Sequence, residues 1–204
     1  INQATEYYYL KYRANNQEKK LSCNTNWRKP HVGWIKLNFD RAYKQTTSGI
    51  GGVVRDHNGN WIMGFNMKVQ AASYIHAELL ALQQSLMLAM ERNLFPIEIE
   101  TDSIQVLNLL ENGNSTFDPL LHNCKWLLSM KEKDLVVQHS FREGNGVADL
   151  LAKEAAKQTT INKLVFIVMP SPFVVARMLA DRDRDFSRKS VLESTCRTLA
   201  KFEN

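Results

Sequence analysis

The sequence predicts an α/β protein in which helices cover a mixed sheet, and three observations lead there. Between Trp34 and Met67, three short segments rich in apolar residues, the first strictly alternating, are joined by turn-forming residues. Segments with helical spacing follow at 73–92, 103–110, 118–131 and 145–157. Two short apolar runs, at 97–101 and 135–141, are interleaved with them. The resulting order is βββ-α-β-α-α-β-α, without internal repeats. The first three strands form an antiparallel meander and the last two arrive by helical crossovers, which gives a five-stranded mixed sheet in the order 3-2-1-4-5.

Each element has a local reason. Residues 1–33 are polar and aromatic without period, are broken at Asn15-Asn16 and Pro30, and read as a basic linker or partial helix. In Trp34–Asp40, the apolar Ile35, Leu37 and Phe39 alternate with polar residues, as on a half-buried strand. Thr46-Thr47-Ser48-Gly49 reads as a turn before the strand Ile50–Arg55, whose Gly51-Gly52 pair predicts a bulge or a close backbone approach. Asp56-His57-Asn58-Gly59 supplies an Asn-Gly hairpin turn into Trp61–Met67. Ser73 is the expected N-cap of the longest helix, where Leu79, Leu82, Leu86, Ala89 and Met90 form an apolar stripe. Pro96 precedes the strand Ile97–Thr101, Asn112-Gly113 ends the next helix, and Pro119 opens the one after it. Leu135–Phe141 is the last strand, and Asn145 is the expected cap of the final Ala- and Leu-rich helix. Beyond it, Ser171-Pro172 opens an amphipathic helix, and Ser190-x-x-Glu193 is a capping box ahead of Leu192, Cys196 and Leu199.

Length and composition bound the function. The 204 residues suit one domain at 34–157 between a basic N-terminal segment, 1–33, and a helical extension, 158–204. With 44% hydrophobic and 23% charged residues, the chain is neither disordered nor collagen-like. No apolar run reaches the roughly 18 residues of a membrane-spanning helix. The chain opens at Ile1 without a basic-then-apolar leader and reads as a piece of a longer protein, such as a reverse-transcriptase-like polyprotein. Cys23, Cys124 and Cys196 are scattered and lack a CxxC pair, which excludes a zinc knuckle and points to a reducing, intracellular compartment. The net charge of +5 divides into +4 over 1–33, −2 over 34–157 and +3 over 158–204. An acidic centre between basic arms fits a metal-dependent nucleic-acid enzyme, and it equally describes basic linkers around an ordinary domain.

Four acids stand out, and each has an ordinary explanation. Asp40 ends the first strand and could be a turn residue. Asp102 ends the fourth strand and could cap a helix, with Gln105 three residues on. Asp149, one turn into the last helix, could complement its dipole. Glu78 is harder to dismiss: it lies four residues before Leu82 on the core-facing stripe, where an unpaired charge is costly and a cation is a natural partner. Together the four could converge at one end of the sheet, where oxygen-only ligands favour Mg²⁺ or Mn²⁺.

Residues from about Trp34 to Lys157 resemble ribonuclease H-like domains, most closely the plant reverse-transcriptase-derived branch. The resemblance is carried by Trp34–Asp40, Gly51–Asp56 with Asn58-Gly59, Ala77–Leu82, Glu100–Ser103, His139–Asn145 and Ala148–Ala152, in that order. It implies a three-layer fold and an Asp-Glu-Asp-Asp site from Asp40, Glu78, Asp102 and Asp149, holding two Mg²⁺ ions with Mn²⁺ as substitute. It places the family's mobile catalytic histidine on His139 and a DNA-phosphate contact on Ser73, with Arg41, Asn38, Ser103 and Asn145 completing the substrate-binding set. The expected partner is an RNA–DNA hybrid whose RNA strand is cut endonucleolytically, with no membrane and no small-molecule cofactor involved. The family usually has Gly after the first Asp, where this chain has Arg41; a side chain there obstructs the RNA backbone or contacts its phosphate. The same features with Arg41 blocking catalysis describe a weak or inactive binding module.

Overall fold

A computed structural model of the chain describes residues 20–44, 47–130, 134–183 and 188–192. The strands of the main sheet are β2 (Ile35–Lys44), β3 (Thr47–Arg55), β4 (Trp61–Gln70), β5 (Ile97–Thr101), β6 (Leu135–His139) and β7 (Val165–Ile167). Their order is β6-β5-β2-β3-β4-β7. The inner five reproduce the expected 3-2-1-4-5: β2, β3 and β4 form the antiparallel meander, and β5 and β6 join in parallel. Asp40 therefore lies on a central strand.

Helices α1 (Tyr74–Glu91), α2 (Ile104–Asn112) and α3 (Asp118–Ser129) build one layer. The Leu79, Leu82, Leu86 and Ala89 stripe of α1 packs there against Leu37, Phe39, Ile50, Ile97 and Ile99. On the opposite face, α4 (Gly146–Ala156) crosses the meander so closely that a Cβ on Gly51 would stand 2.5 Å from the Ala152 nitrogen, and one on Gly49 2.0 Å from the Ala152 oxygen. The glycines thus serve a backbone approach, and the irregularity in the β3–β4 ladder falls instead between Val54 and Arg55. Helix α5 (Pro172–Asp183) adds Val174 to the cluster of Val53, Val147 and Leu151 beneath α4.

Several expectations are corrected. Thr47, Ser48 and Gly49 are strand rather than turn, because the hairpin strands β2 and β3 run on past Asp40. The last core strand stops at His139, not Phe141. The segment after α4 is not wholly helical, since β7 pairs with β4 as a sixth strand. Nor is the N-terminal segment merely linker or helix: β1 (Lys20–Asn24) pairs with β8 (Arg188–Leu192) in a separate two-stranded sheet. Within that pairing Ser190, the proposed cap, is a strand residue; Cys196 and Leu199 lie outside the described residues. Trp27 is docked on the sheet, donating from Nε1 to Asn38 Oδ1 at 2.8 Å beneath the Arg55 guanidinium, 3.8 Å from its ring centre.

Candidate metal centre

The parallel strands β2 and β5 run side by side as far as the Asn38–Glu100 pair, after which β5 ends at Thr101. Beyond that point β2 runs on paired with β3 alone, and Asp40, within β2, and Asp102, just past the carboxyl end of β5, emerge where the parallel ladder stops, the usual place for an α/β site. Ser103, not Asp102, caps α2, its hydroxyl accepting from the Val106 N–H at 3.4 Å. Asp102 is thereby free of that local duty. Ser73 caps α1 as expected, accepting from His76 N–H at 3.2 Å, and so fixes the start of the helix that carries Glu78 in its second turn. One carboxylate oxygen from each of Asp40, Glu78 and Asp102 lies within 4.8 Å of the others.

The three acids crowd one another. Burial, reinforced by the charges of Asp102 and Glu78, pushes the Asp40 carboxyl up to about 8. Burial likewise raises Glu78 to about 7 against the pull of Arg41. Burial raises Asp102 too, against the nearby Arg142 and Arg41. Glu78 has a resident cation after all: Arg41 Nε lies 3.1 Å from its Oε1, and the guanidinium stands over the Tyr74 ring at 5.5 Å. That contact satisfies one oxygen only. Glu78 Oε2 is buried with no hydrogen-bond partner. Arg41 is thus folded back onto Glu78.

These residues line an open cleft of about 450 Å³ together with Tyr74, Ser103, Arg142 and Asp149. Asp149 stands at the mouth, outside the group of three, held by Lys153 Nζ at 2.6 Å. His139 is not in this cleft. Its ring sits edge-on to Phe141 in a separate cleft near Trp27, hydrogen-bonded to the Asp102 backbone, and burial lowers its pKa to about 4. Two expected substrate contacts are turned inward. Asn38 is fully buried and donates to Glu100 Oε2 at 2.8 Å, and Asn145 donates to the Phe39 carbonyl at 2.8 Å rather than capping α4. Arg142 is a cleft residue that the sequence pattern did not single out; its only local mark is a charge in the turn between β6 and α4. Cys124 is core, its thiol raised to about 12 by burial, which fits no nucleophile.

Residues 38–155 match the sequence model of the reverse transcriptase-like family. The chain belongs to that family. Its matched span contains Asp40, Glu78, Asp102 and Asp149 and excludes Trp27, β7 and α5. A putative ribonuclease H protein of Arabidopsis thaliana is 35% identical over 133 residues; the match covers 63% of this chain and 22% of the relative's length. The ribonuclease H1 of the halophilic archaeon Halobacterium salinarum superimposes with a TM-score of 0.53 at 28% identity, over 60% of this chain and 97% of that one. A compost-derived ribonuclease H1, solved in complex with an RNA/DNA hybrid, shares the fold with a TM-score of 0.53 at 23% identity, over 60% of this chain and 96% of that one. The domain is ribonuclease H-like. Among the described residues, no helix is long and apolar enough to cross a membrane.

Proposed function

We propose that this chain hydrolyses the RNA strand of RNA–DNA hybrids at a divalent-metal site formed by Asp40, Glu78 and Asp102, with Asp149 at its mouth. The observation that carries the proposal is three carboxylate oxygens within 4.8 Å of one another, beside a buried Glu78 oxygen that has no partner. An all-carboxylate donor set suits a hard cation, so the residues present fit Mg²⁺, with Mn²⁺ as substitute. Bound ions of this kind, two in the ribonuclease H-like scheme, supply an activated water and charge stabilisation at the leaving oxygen.

The protein's own groups supply the rest. Ser73 and Ser103 fix the starts of the helices behind the site, so Glu78 and Asp102 face each other before anything binds. Asn145 ties the start of α4 to the Phe39 carbonyl and so holds Asp149 at the cleft. Neutral at pH 7, His139 can exchange a proton at the cleft only after leaving Phe141, a rearrangement of the kind that substrate often completes. Discrimination of RNA from DNA rests on the 2′-hydroxyl and the groove shape of the hybrid.

A second reading, a binding module without turnover, draws on the Arg41–Glu78 pair, in which a guanidinium already occupies one oxygen of the site. Cleavage of an end-labelled RNA–DNA hybrid with Mg²⁺ or Mn²⁺ decides between the two. Metal-dependent RNA cuts that vanish in Asp102→Asn support the hydrolase. Hybrid binding without cleavage in both the wild type and Arg41→Gly supports the module.

A further inference from the structure

The acid cleft continues into a second one, of about 330 Å³, with which it shares Arg142 and Asp149. The far wall of this second cleft is Arg177, supplied by α5, outside the family's matched span. Arg177 is held in place. Its Nη2 donates to the Glu143 carbonyl, and its guanidinium lies against Gly146, where a Cβ would come within 2.3 Å of Nε. A side chain at Gly146 would displace the guanidinium from this position. On its other side, Arg177 Nε is 3.3 Å from Asp181, and that carboxylate also takes Arg55 Nη1 at 3.1 Å. Two guanidinium groups thus meet at the Asp181 carboxylate, and the second cleft brings Arg177 and Arg142 together with Glu143 and Asp149. Across from Arg177 stands exposed Arg142, close enough for its charge to act on Asp102, and Asp149 between them is already paired with Lys153.

We propose that Arg142 and Arg177 form a phosphodiester subsite, in which the C-terminal extension grips the nucleic-acid backbone beside the acid cleft. The proposal rests on the hybrid-binding reading given above. A strand with its reacting phosphate at Asp40 and Asp102 carries a neighbouring phosphate along the continuous groove, where acids alone would repel it. Arg177 has its orientation set in advance by Glu143 and Gly146, so little freedom is lost on binding. Arg142, being exposed, completes the contact from the opposite side. The assignment also gives Gly146 its reason: it makes room for a binding group.

The test is binding of a short fluorescein-labelled RNA–DNA hybrid to the full chain, followed by anisotropy across a NaCl series without divalent metal, so that no cleavage intervenes. Arg142→Ala and Arg177→Gln each weaken binding about tenfold, the scale of one charge-assisted hydrogen bond. Each also lowers the slope of log affinity against log salt by roughly 0.7–0.9, the value of one phosphate contact. With Mg²⁺ present, KM rises in Arg177→Gln while kcat is kept, because that contact lies outside the acid cleft and is the same in ground and transition states. Arg142→Ala removes an exposed side chain and leaves the fold intact, which guards against misreading an unfolded Arg177→Gln. If the wild type binds the hybrid and both variants keep its affinity and slope, the subsite is wrong and the hybrid reading stands. A loss confined to Arg142→Ala, or an Arg177→Gln variant with a lower melting temperature but an unchanged slope, makes α5 a structural brace and overturns the proposal. A wild type that binds no hybrid at all removes both.

Discussion

The adjacent strands β2 and β5 carry acidic groups within their shared ladder and just beyond it, and the two groups are treated in opposite ways. Within the ladder, Lys36 opposes Glu98, and Asn38 opposes Glu100 at its last pair. The Lys36 ammonium lies 3.1 Å from Glu98 and also pairs with Glu100, which accepts from Asn38 and Gln138 as well. Burial alone would raise the Glu98 carboxyl; Lys36 and two hydrogen bonds from His31 overcome it and hold it below its usual range. Two residues further along, Asp40 and Asp102 have no lysine between them, and Glu78 comes over from α1 to make a third acid. Arg41 answers one oxygen of one of them. The polypeptide can neutralise buried carboxylates, and it does so within the ladder while leaving the group beyond it short of positive charge. Glu98, Glu100, Asp40 and Glu78 are all buried and Asp102 half-buried, so completeness of pairing is what separates scaffold from site.

The comparison breaks first on catalysis. Asp102→Asn lowers metal-dependent hybrid cleavage by on the order of 10³, as expected when preorganised transition-state charge stabilisation is lost. Its thermal stability, read from melting curves, changes little, and a variant that keeps cleaving removes the contrast. Next in size is Lys36→Met. It leaves Glu98 and Glu100 buried without their cation and costs about 3–5 kcal/mol by urea denaturation. Equal stability to the wild type would mean that the paired group is no scaffold.

Arg41→Gly sharpens the unpaired group. Clearing the first ligand's neighbour raises hybrid cleavage by up to about a hundredfold if the scissile phosphate was displaced by some 1 Å. Because Arg41 holds Glu78 directly, the same change tightens Mg²⁺ binding, measured by titration calorimetry. A fall in cleavage instead makes Arg41 a substrate contact.

The smallest effect is one of pH. Folded, Asp40 holds its proton up to about 8 rather than 3.8, so the stability it contributes is complete below the lower value and drains away as pH rises toward the upper one. The half-buried, neutral His139 acts in the other direction, costing stability only as pH falls from 6.5 toward about 4. Between pH 6.5 and 8, Asp40 therefore acts without interference from His139. Asp40→Asn raises the metal-free stability at pH 8 by at least about 1.4 kcal/mol, the worth of one pKa unit, and by less at pH 5. In the wild type, saturating Mg²⁺ recovers stability at pH 8, about 2.7 kcal/mol at a hundredfold excess over Kd, and this gain disappears in Asp40→Asn.

What the sequence determined by itself was local and periodic. Alternation at Ile35, Leu37 and Phe39 marked the central strand, and Asn58-Gly59 marked the hairpin. Ser73 and Pro119 marked helix starts, and chain order with right-handed crossovers then yielded the inner five-strand order. Glu78 on an apolar stripe was enough to show that a charge needed a partner. The partner itself was decided only by packing: Arg41 is 37 residues away and reaches Glu78 because α1 packs on β2. Packing likewise turned Asn38 and Asn145 inward, since each buried amide had to find its hydrogen bonds somewhere. It also recruited β7, whose three residues are too few to show a period, and it joined Arg55 to Asp181 across 126 residues. Hydrophobic period and capping act within a few residues and can be read along the chain. Neutralising a buried charge is a three-dimensional problem, and its solution appears only where distant segments meet.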